Sequence, residues 1–214
     1  MPKTKEQCEL MKDERRSQLL HVALESFCAV GFDSTKIDDL AKRAEISHGL
    51  LYHYFPTKED LFFELFFLAR KSYRTFEESI CNADDSSPIA KVQTLLKALL
   101  RKIDEDDDFC QMMYFILNAR LIKPNFLESA KAWGVKKKVD HATNRTEVKA
   151  PLHEMLSQAV AQGKLTKEGS SQLETVFWVV AHGVVVNKMM HLMHHVPFHT
   201  PSAEWFLTAF EPKQ

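Results

Sequence analysis

The sequence predicts an all-α fold, and three observations support this prediction. Apolar residues recur at helical spacing along nearly the whole chain, and no segment alternates apolar and polar residues as a half-buried strand does. The 214 residues include only 6 Gly and 8 Pro. With 45% hydrophobic and 27% charged residues, the composition is that of a globular protein long enough for one small and one larger domain.

Three short helices are predicted in the first quarter of the chain. The first has an apolar face and ends at Gly31; its face consists of Leu20, Ala23, Leu24, Phe27 and Val30. The second follows Ser34-Thr35 and has apolar residues at i, i+3, i+4 and i+7, namely Ile37, Leu40, Ala41 and Ala44. The third covers 48–55 and is closed by Pro56. Three helices joined by short turns are typical of a helix-turn-helix domain.

Helices also account for most of the remaining chain. A fourth helix is predicted over 57–80, a fifth begins at Pro88, and a sixth covers 109–121 after an acidic run that suits a helix N-terminus. A polar and basic connection, 136–149, precedes helices over 152–162 and 170–195. The chain then has a short last helix, with apolar residues Ala203, Phe206, Leu207 and Phe210.

The third helix has two chemically different faces. Ser47 is a suitable N-cap, and Ile46 with Leu51 fits a hydrophobic staple. Leu51 and Phe55 lie four residues apart and should point at the first two helices. The opposite face carries His48, Gly49, Tyr52 and His53. Such a face suits a recognition helix in a DNA major groove, although the outer face of an ordinary helical bundle has the same periodicity.

Cations at two helix starts favour the DNA-binding interpretation. Thr57 and Asp60 form a capping pair at the start of the fourth helix, and Lys58 lies in its first turn. A helix N-terminus beside a lysine binds phosphate well, whereas a solvated lysine is the alternative. Thr35 and Lys36, at the start of the second helix, are placed to hold the opposite phosphate strand.

Segment 35–61, TKIDDLAKRAEISHGLLYHYFPTKEDL, resembles the signature of the TetR family of transcriptional regulators. The resemblance implies a DNA-binding domain over 1–56, a ligand-binding and dimerisation domain over 57–214, and a homodimer on palindromic double-stranded operator DNA. It also implies phosphate contacts from Thr35, Lys36, Ser47, Tyr52 and Lys58. By the same resemblance, the residues against base edges are His48, Gly49, Leu50 and His53. Glu45 replaces the usual Gly of the turn, and Tyr54 replaces a usual His.

The charge balance of the first 60 residues opposes this interpretation. They contain nine Lys or Arg and eleven Asp or Glu. DNA binding would therefore depend on a few placed cations and have little non-specific affinity. At Glu45 a left-handed backbone is expected, at a cost of about 1 kcal/mol.

The C-terminal part predicts a dimer and an effector site. The centre of the helix over 170–195 is apolar almost all round, so it needs cover from the last helix and from a second copy of the chain. Aromatic and methionine side chains suit a small apolar or aromatic effector, although each one alone fits ordinary core. These candidates are Phe62, Phe63, Phe66, Phe67, Tyr73, Met112, Met113, Tyr114, Phe115, Trp133, Trp178 and Met189. The predicted function is a repressor that an effector releases from DNA.

Other classes of protein have less support. No catalytic, phosphate-loop or dinucleotide motif is present, so no cofactor is expected; a metal enzyme would depend on His191, His194, His195 and His199 alone. A DNA-binding adaptor that recruits a protein partner is a second alternative. The four cysteines lack metal spacing and fit reduced thiols. The polar N-terminus and the short apolar run at 176–186 predict a cytoplasmic protein that does not cross a membrane.

Overall fold

The computed structural model of the chain describes residues 5–81, 87–137 and 151–202. These residues form α-helices without a β-strand, as the sequence predicts. The helices are α1 (Lys5–Ser34), α2 (Ile37–Arg43), α3 (His48–Tyr54), α4 (Lys58–Cys81), α5 (Pro88–Glu105), α6 (Asp107–Leu117), α7 (Ala119–Ile122), α8 (Phe126–Lys137), α9 (Pro151–Ala161) and α10 (Lys167–His194).

Helix boundaries follow local signals in the sequence. Ser47 Oγ accepts a hydrogen bond from the amide of Leu50 at 3.2 Å, and so caps α3. Thr57 Oγ1 accepts from the amide of Asp60 at 3.0 Å at the start of α4. Gly31, with φ 79° and ψ 174°, interrupts α1 where the sequence predicts its end. The caps predicted at Ser47 and Thr57 and the break at Gly31 are confirmed, whereas α2, predicted to open at Ser34-Thr35, has Lys36 as its N-cap.

The chain divides into two compact units. The first contains the residues up to Leu68 together with the segment that begins at Asn118. The second contains Ala69–Leu117 and the described residues from 151 onward. Helix α4 thus contributes residues to both units. The functional boundary predicted at residue 56 stays a prediction.

The core of the first unit joins α1, α2, α3 and the start of α4. Its fully buried side chains include Phe27, Leu40, Leu51 and Phe55. Along α1, Leu19 and Val22 are also buried, whereas Val30 is 56% exposed. The prediction that Val30 belongs to the buried face is wrong; the residue directly precedes Gly31, where the backbone leaves the helical conformation.

The second unit is built from α5, α6, α9, α10 and the later part of α4. The predicted apolar face of α5 is confirmed, since Leu95, Leu96, Leu99, Leu100 and Ile103 are buried. Helix α10 buries Phe177, Ala181 and Val185 completely. Among the described residues, α10 alone is long and apolar enough to cross a membrane by length and composition, a test that core helices also pass.

The region after α6 differs from the sequence prediction. The sequence predicts a single helix over 109–121, but α6 ends at Leu117, and the backbone of Asn118 has φ −106° and ψ 13°. Helix α8 was not predicted; it begins after Asn125, whose φ is 57°. Its residues Phe126, Ala130 and Trp133 have helical spacing, whereas Leu127 is exposed. The predicted last helix lies outside the described residues.

Candidate nucleic-acid interface and effector site

Helices α2 and α3 are joined by a tight turn that sets the exit direction of α3. The amide of Glu45 donates to the carbonyl of Lys42 at 3.1 Å, and that of Ile46 donates to Ala41 at 3.0 Å. Glu45 has φ 54°, so the expected left-handed conformation is confirmed. A helix-turn-helix therefore forms with a non-glycine residue at its turn.

The two faces of α3 separate as the sequence predicts. Leu51 and the C-cap residue Phe55 are buried against the first unit. The opposite side exposes His48, Gly49, Leu50, Tyr52 and His53. A surface of aromatic rings, imidazoles and a glycine, carried on a capped helix, has the shape and hydrogen-bonding groups that base edges require.

Gly49 leaves the exposed face of α3 open to close approach. A Cβ atom added at this position would meet no atom of the described residues within 4 Å. Packing within the unit therefore does not require a glycine here. The position instead allows another molecule to approach the α3 backbone closely.

His48 has two neighbours that hold its ring. Its Nδ1 lies 2.8 Å from Oδ1 of Asp38 on α2. The Tyr52 ring lies 4.9 Å from the imidazole, centroid to centroid, with an interplanar angle of 28°. The carboxylate and the stacked ring together fix the imidazole on the outer face of α3.

The proposed phosphate-binding residues occupy different environments. Thr35 is buried, and its hydroxyl donates to the carbonyl of Gly31 at 2.7 Å. Lys36 is exposed at the N-cap position of α2 and forms no side-chain cap. Lys58 Nζ donates to the carbonyls of Phe32 at 2.8 Å and Thr35 at 3.0 Å. Phosphate contacts from these residues stay a prediction.

Two ammonium groups lie near the Phe32 ring, a feature that the sequence analysis missed. Lys58 Nζ is 4.4 Å and Lys123 Nζ is 3.5 Å from the ring centroid. Lys123 is buried and lies 3.6 Å from the Glu59 carboxylate. Cation–π contacts thus hold both lysines at the end of α1, and backbone carbonyls also hold Lys58. Lys123 is distant in sequence from Phe32, so local periodicity contains no signal for this contact.

Five of the predicted effector residues form one aromatic cluster in the first unit, with Phe126 of α8 as a further member. Trp133 stacks on Phe67 at 5.4 Å and 22°, and its Nε1 donates to Asp60 at 3.0 Å. The cluster consists of Phe62, Phe63, Phe66, Phe67, Phe126 and Trp133. An effector role for these residues stays a prediction.

The other predicted effector residues belong to the second unit. Met113, Phe115 and Met189 are buried, whereas Met112 and Trp178 are half-buried. Trp178 lies on a surface cleft of about 460 Å³. The residues lining this cleft are Leu117, Ser171, Glu174, Thr175, Trp178, Val179 and His182. An aromatic wall beside hydroxyl and carboxylate groups can hold a small amphipathic molecule.

Beside Trp178, α4 carries the predicted effector residue Tyr73 and also Glu77, which the sequence analysis did not single out. Tyr73 lies 5.8 Å from the Trp178 ring, and its buried hydroxyl has no hydrogen-bond partner among the described residues. Glu77, only 1% exposed, accepts a hydrogen bond from the amide of Leu152 at 3.1 Å. Burial raises the pKa of Glu77 to about 7, against the opposing effect of the Leu152 hydrogen bond.

The C-terminal histidines are separate surface groups. His191 donates through Nδ1 to the carbonyl of Val196 at 2.8 Å, and His194 and His195 are exposed. Within residues 5–81, 87–137 and 151–202, no three His, Cys, Asp or Glu side chains are grouped as metal ligands. This part of the chain therefore provides no support for the metal-enzyme alternative.

Comparison with known proteins identifies the family of this helix-turn-helix. Residues 19–65 match the pattern described as bacterial regulatory proteins, tetR family. The helix-turn-helix of this chain is therefore of the tetR-family type. The match includes α2, α3 and the start of α4, the elements that form the surface described above. The resemblance carried by 35–61 is thus confirmed.

The curated relatives that match this chain are transcriptional regulators. One is an HTH-type transcriptional regulator of Bacillus subtilis, YdgC, itself uncharacterised, which is 29% identical over 108 residues, or 48% of this chain and 54% of that protein. The chain spans about half or less of the length of the first curated relatives that it matches.

Solved structures share the whole fold at low sequence identity. The fatty acid degradation regulator FadR from Bacillus halodurans has a TM-score of 0.58 at 15% identity and covers 92% of each chain. FadR from Bacillus subtilis, in complex with stearoyl-CoA, has a TM-score of 0.57 at 15% identity and covers 81% of this chain and 88% of its own. The structural similarity to these regulators therefore includes the helices that follow the helix-turn-helix.

Proposed function

We propose that this protein is a cytoplasmic transcriptional repressor that binds palindromic operator DNA as a homodimer and is released by a small apolar or aromatic effector. The observation that supports DNA binding best is the surface of α3. Every residue expected to meet a base edge is exposed there, while Leu51 and Phe55 anchor the helix. In this proposal α3 lies in the major groove, and Lys36, Lys58 and neighbouring hydroxyls bind phosphates.

Dimerisation is proposed through α10, with the last helix that the sequence predicts as a further contributor. One face of α10 exposes apolar side chains at helical spacing, namely Val179, Met190 and Met193; Val179 is 66% exposed. An apolar stripe of this length is best covered by another helix. In a homodimer the second copy supplies that cover and also places two recognition helices for a palindrome.

The effector proposal concerns the aromatic and methionine side chains and the cleft beside Trp178. An effector acts only if it binds the DNA-competent and the released states with different affinity. The Bacillus subtilis neighbour binds stearoyl-CoA, so long-chain acyl-CoA thioesters belong in the first panel of probes, together with aromatic hydrocarbons.

Selection of binding sites from random double-stranded DNA tests the DNA-binding proposal. The full-length protein should enrich a palindromic sequence, and fluorescence anisotropy should then measure its affinity. His53→Ala should lower the preference for the selected site over random DNA about 3- to 10-fold, the effect of removing one hydrogen bond to a base.

His21→Ala is the matched control, because His21 is an exposed histidine of the same unit on α1. It should leave both affinity and sequence preference unchanged. If the wild-type protein enriches no sequence, or if His53→Ala and His21→Ala behave alike, the proposed use of α3 is wrong. A reporter gene placed behind the selected site should be repressed and then induced by the effector.

A further inference from the structure

An acidic residue beside the recognition surface needs an explanation, since a carboxylate near DNA repels phosphate. Asp38 lies in the first turn of α2, and its Oδ1 is 2.8 Å from Nδ1 of His48. Both side chains are exposed, so burial does not force them together. A role for this pair in DNA recognition rests on the proposed function, in which α3 enters the major groove.

The contact determines which nitrogen of His48 carries the proton. A carboxylate only accepts hydrogen bonds, so Nδ1 of the imidazole must be the donor to Asp38. In the neutral ring Nε2 is then the acceptor, and it lies on the other side of the ring. The Tyr52 ring, stacked at 4.9 Å, restricts rotation of the imidazole plane.

We propose that Asp38 is a positioning residue for base recognition: it holds His48 in the Nδ1–H tautomer, so that Nε2 accepts a hydrogen bond from an exocyclic amine in the major groove. Adenine presents such a donor at N6 and cytosine at N4. Guanine presents only acceptors at O6 and N7, and thymine presents the O4 acceptor and a methyl group. His48 therefore selects adenine or cytosine at the position that it meets.

Asp39 provides the control that distinguishes the positioning role of Asp38 from a general effect of negative charge. Both aspartates lie in the first turn of α2, where either carboxylate interacts favourably with the helix dipole. Both are exposed, and among the described residues only Asp38 pairs with His48. Asp38→Ala and Asp39→Ala thus remove the same charge from the same helical turn, whereas only the first removes the acceptor from His48.

The experiment uses the full-length protein at pH 8, where imidazole is ordinarily neutral. Sites are selected from random DNA by the wild type, Asp38→Ala, Asp39→Ala, His48→Ala and the double variant Asp38→Ala/His48→Ala. The wild type should select adenine or cytosine at one position of each half-site. His48→Ala and Asp38→Ala should each reduce that preference about 3- to 10-fold at that position alone.

Asp39→Ala should keep the wild-type base preference, even if overall affinity rises because one repulsive charge is removed. In the His48→Ala background, Asp38→Ala should have no further effect on base preference, because the two residues act through one contact. Nitrogen-15 NMR of the free protein should identify His48 Nδ1 as the protonated nitrogen, and Asp38→Ala should remove this bias.

Three results would overturn the assignment. The first is an equal effect of Asp38→Ala and Asp39→Ala on base preference. The second is a wild-type preference for guanine or thymine at the His48 position. The third is an Nε2–H tautomer in the wild type. Selection of no sequence by the wild type would instead refute operator binding itself, and the assignment with it.

Discussion

The buried carboxyl of Glu77 should make the stability of the second unit depend on pH. Burial raises its pKa to about 7 from an ordinary value of 4.5. The folded protein thus keeps the proton up to about pH 7, whereas the unfolded chain releases it near pH 4.5. Between these values the unfolded state binds fewer protons, so the free energy of unfolding falls as the pH rises.

The magnitude follows from the difference between the two pKa values. Each pKa unit corresponds to about 1.4 kcal/mol, so ionised Glu77 destabilises the fold by about 3 kcal/mol at pH 8 relative to pH 4.5. The substitution Glu77→Gln removes the titration, and its amide oxygen can still accept the hydrogen bond from Leu152. The variant should therefore gain up to about 3 kcal/mol over the wild type as the pH rises from 4.5 to 8.

Urea denaturation followed by circular dichroism at pH 4.5, 6, 7 and 8 measures this difference. Glu78→Gln is the control, because Glu78 is only half-buried and pairs with Arg74 at 2.6 Å on the surface of α4. The wild type and Glu77→Gln share all their other ionisable groups, so the effects of those groups cancel in the comparison. If the difference in free energy of unfolding between Glu77→Gln and the wild type is the same at all four pH values, the reasoning is refuted.

Three further predictions concern DNA, the dimer and the effector. Lys58→Ala should flatten the slope of log affinity against log salt by about one unit for each phosphate that Lys58 binds, and Lys36→Ala is the comparison. If the slope for Lys58→Ala is unchanged, Lys58 only caps the C-terminal end of α1. Phe206→Glu should shift the protein toward monomer in light scattering, and a wild-type monomer at micromolar concentration would refute the dimer. An effector should lower operator affinity roughly tenfold, and Phe66→Ala or Trp178→Ala should reduce that effect without changing DNA binding in the absence of effector. An effector that binds without changing operator affinity would contradict the sensor role.

The helix-turn-helix was predictable from the sequence because its signals are local. The cap at Ser47, the break at Gly31 and the alternation of faces around Leu51 each depend on residues within one or two turns. The same holds for the left-handed turn at Glu45, where a family position usually held by Gly has another residue. Such features need no knowledge of distant contacts.

Contacts between distant segments were not predictable in this way. Lys58 looked like an exposed cation at a helix start, yet its ammonium group donates to the carbonyls of Phe32 and Thr35. Glu77 looked like one of many acids on α4, and only the fold places it at the amide of Leu152. In both cases the partner is more than 20 residues away, so periodicity carries no information about it.

The acidic excess of residues 1–60 limits the electrostatic part of DNA binding. Glu25 pairs with Arg43, so this acid is balanced by a cation that the same count includes. Asp60 accepts hydrogen bonds from the neutral donors Thr57 and Trp133, which leave its negative charge in place. The placed lysines must therefore supply the attraction to phosphate.

The consequence is a shallow salt dependence of operator binding. Lys36 and Lys42 are exposed and have no ion pair among the described residues. Each phosphate contact contributes about 0.9 to the slope of log affinity against log salt, so these lysines in two protomers predict a slope of about −4, reaching about −5 when Lys58 also binds phosphate. Anisotropy titrations from 50 to 300 mM salt, roughly the range over which such slopes are resolved, measure it. A slope steeper than about −8 would require several further cations and would contradict the view that a few placed lysines carry the electrostatic part of binding.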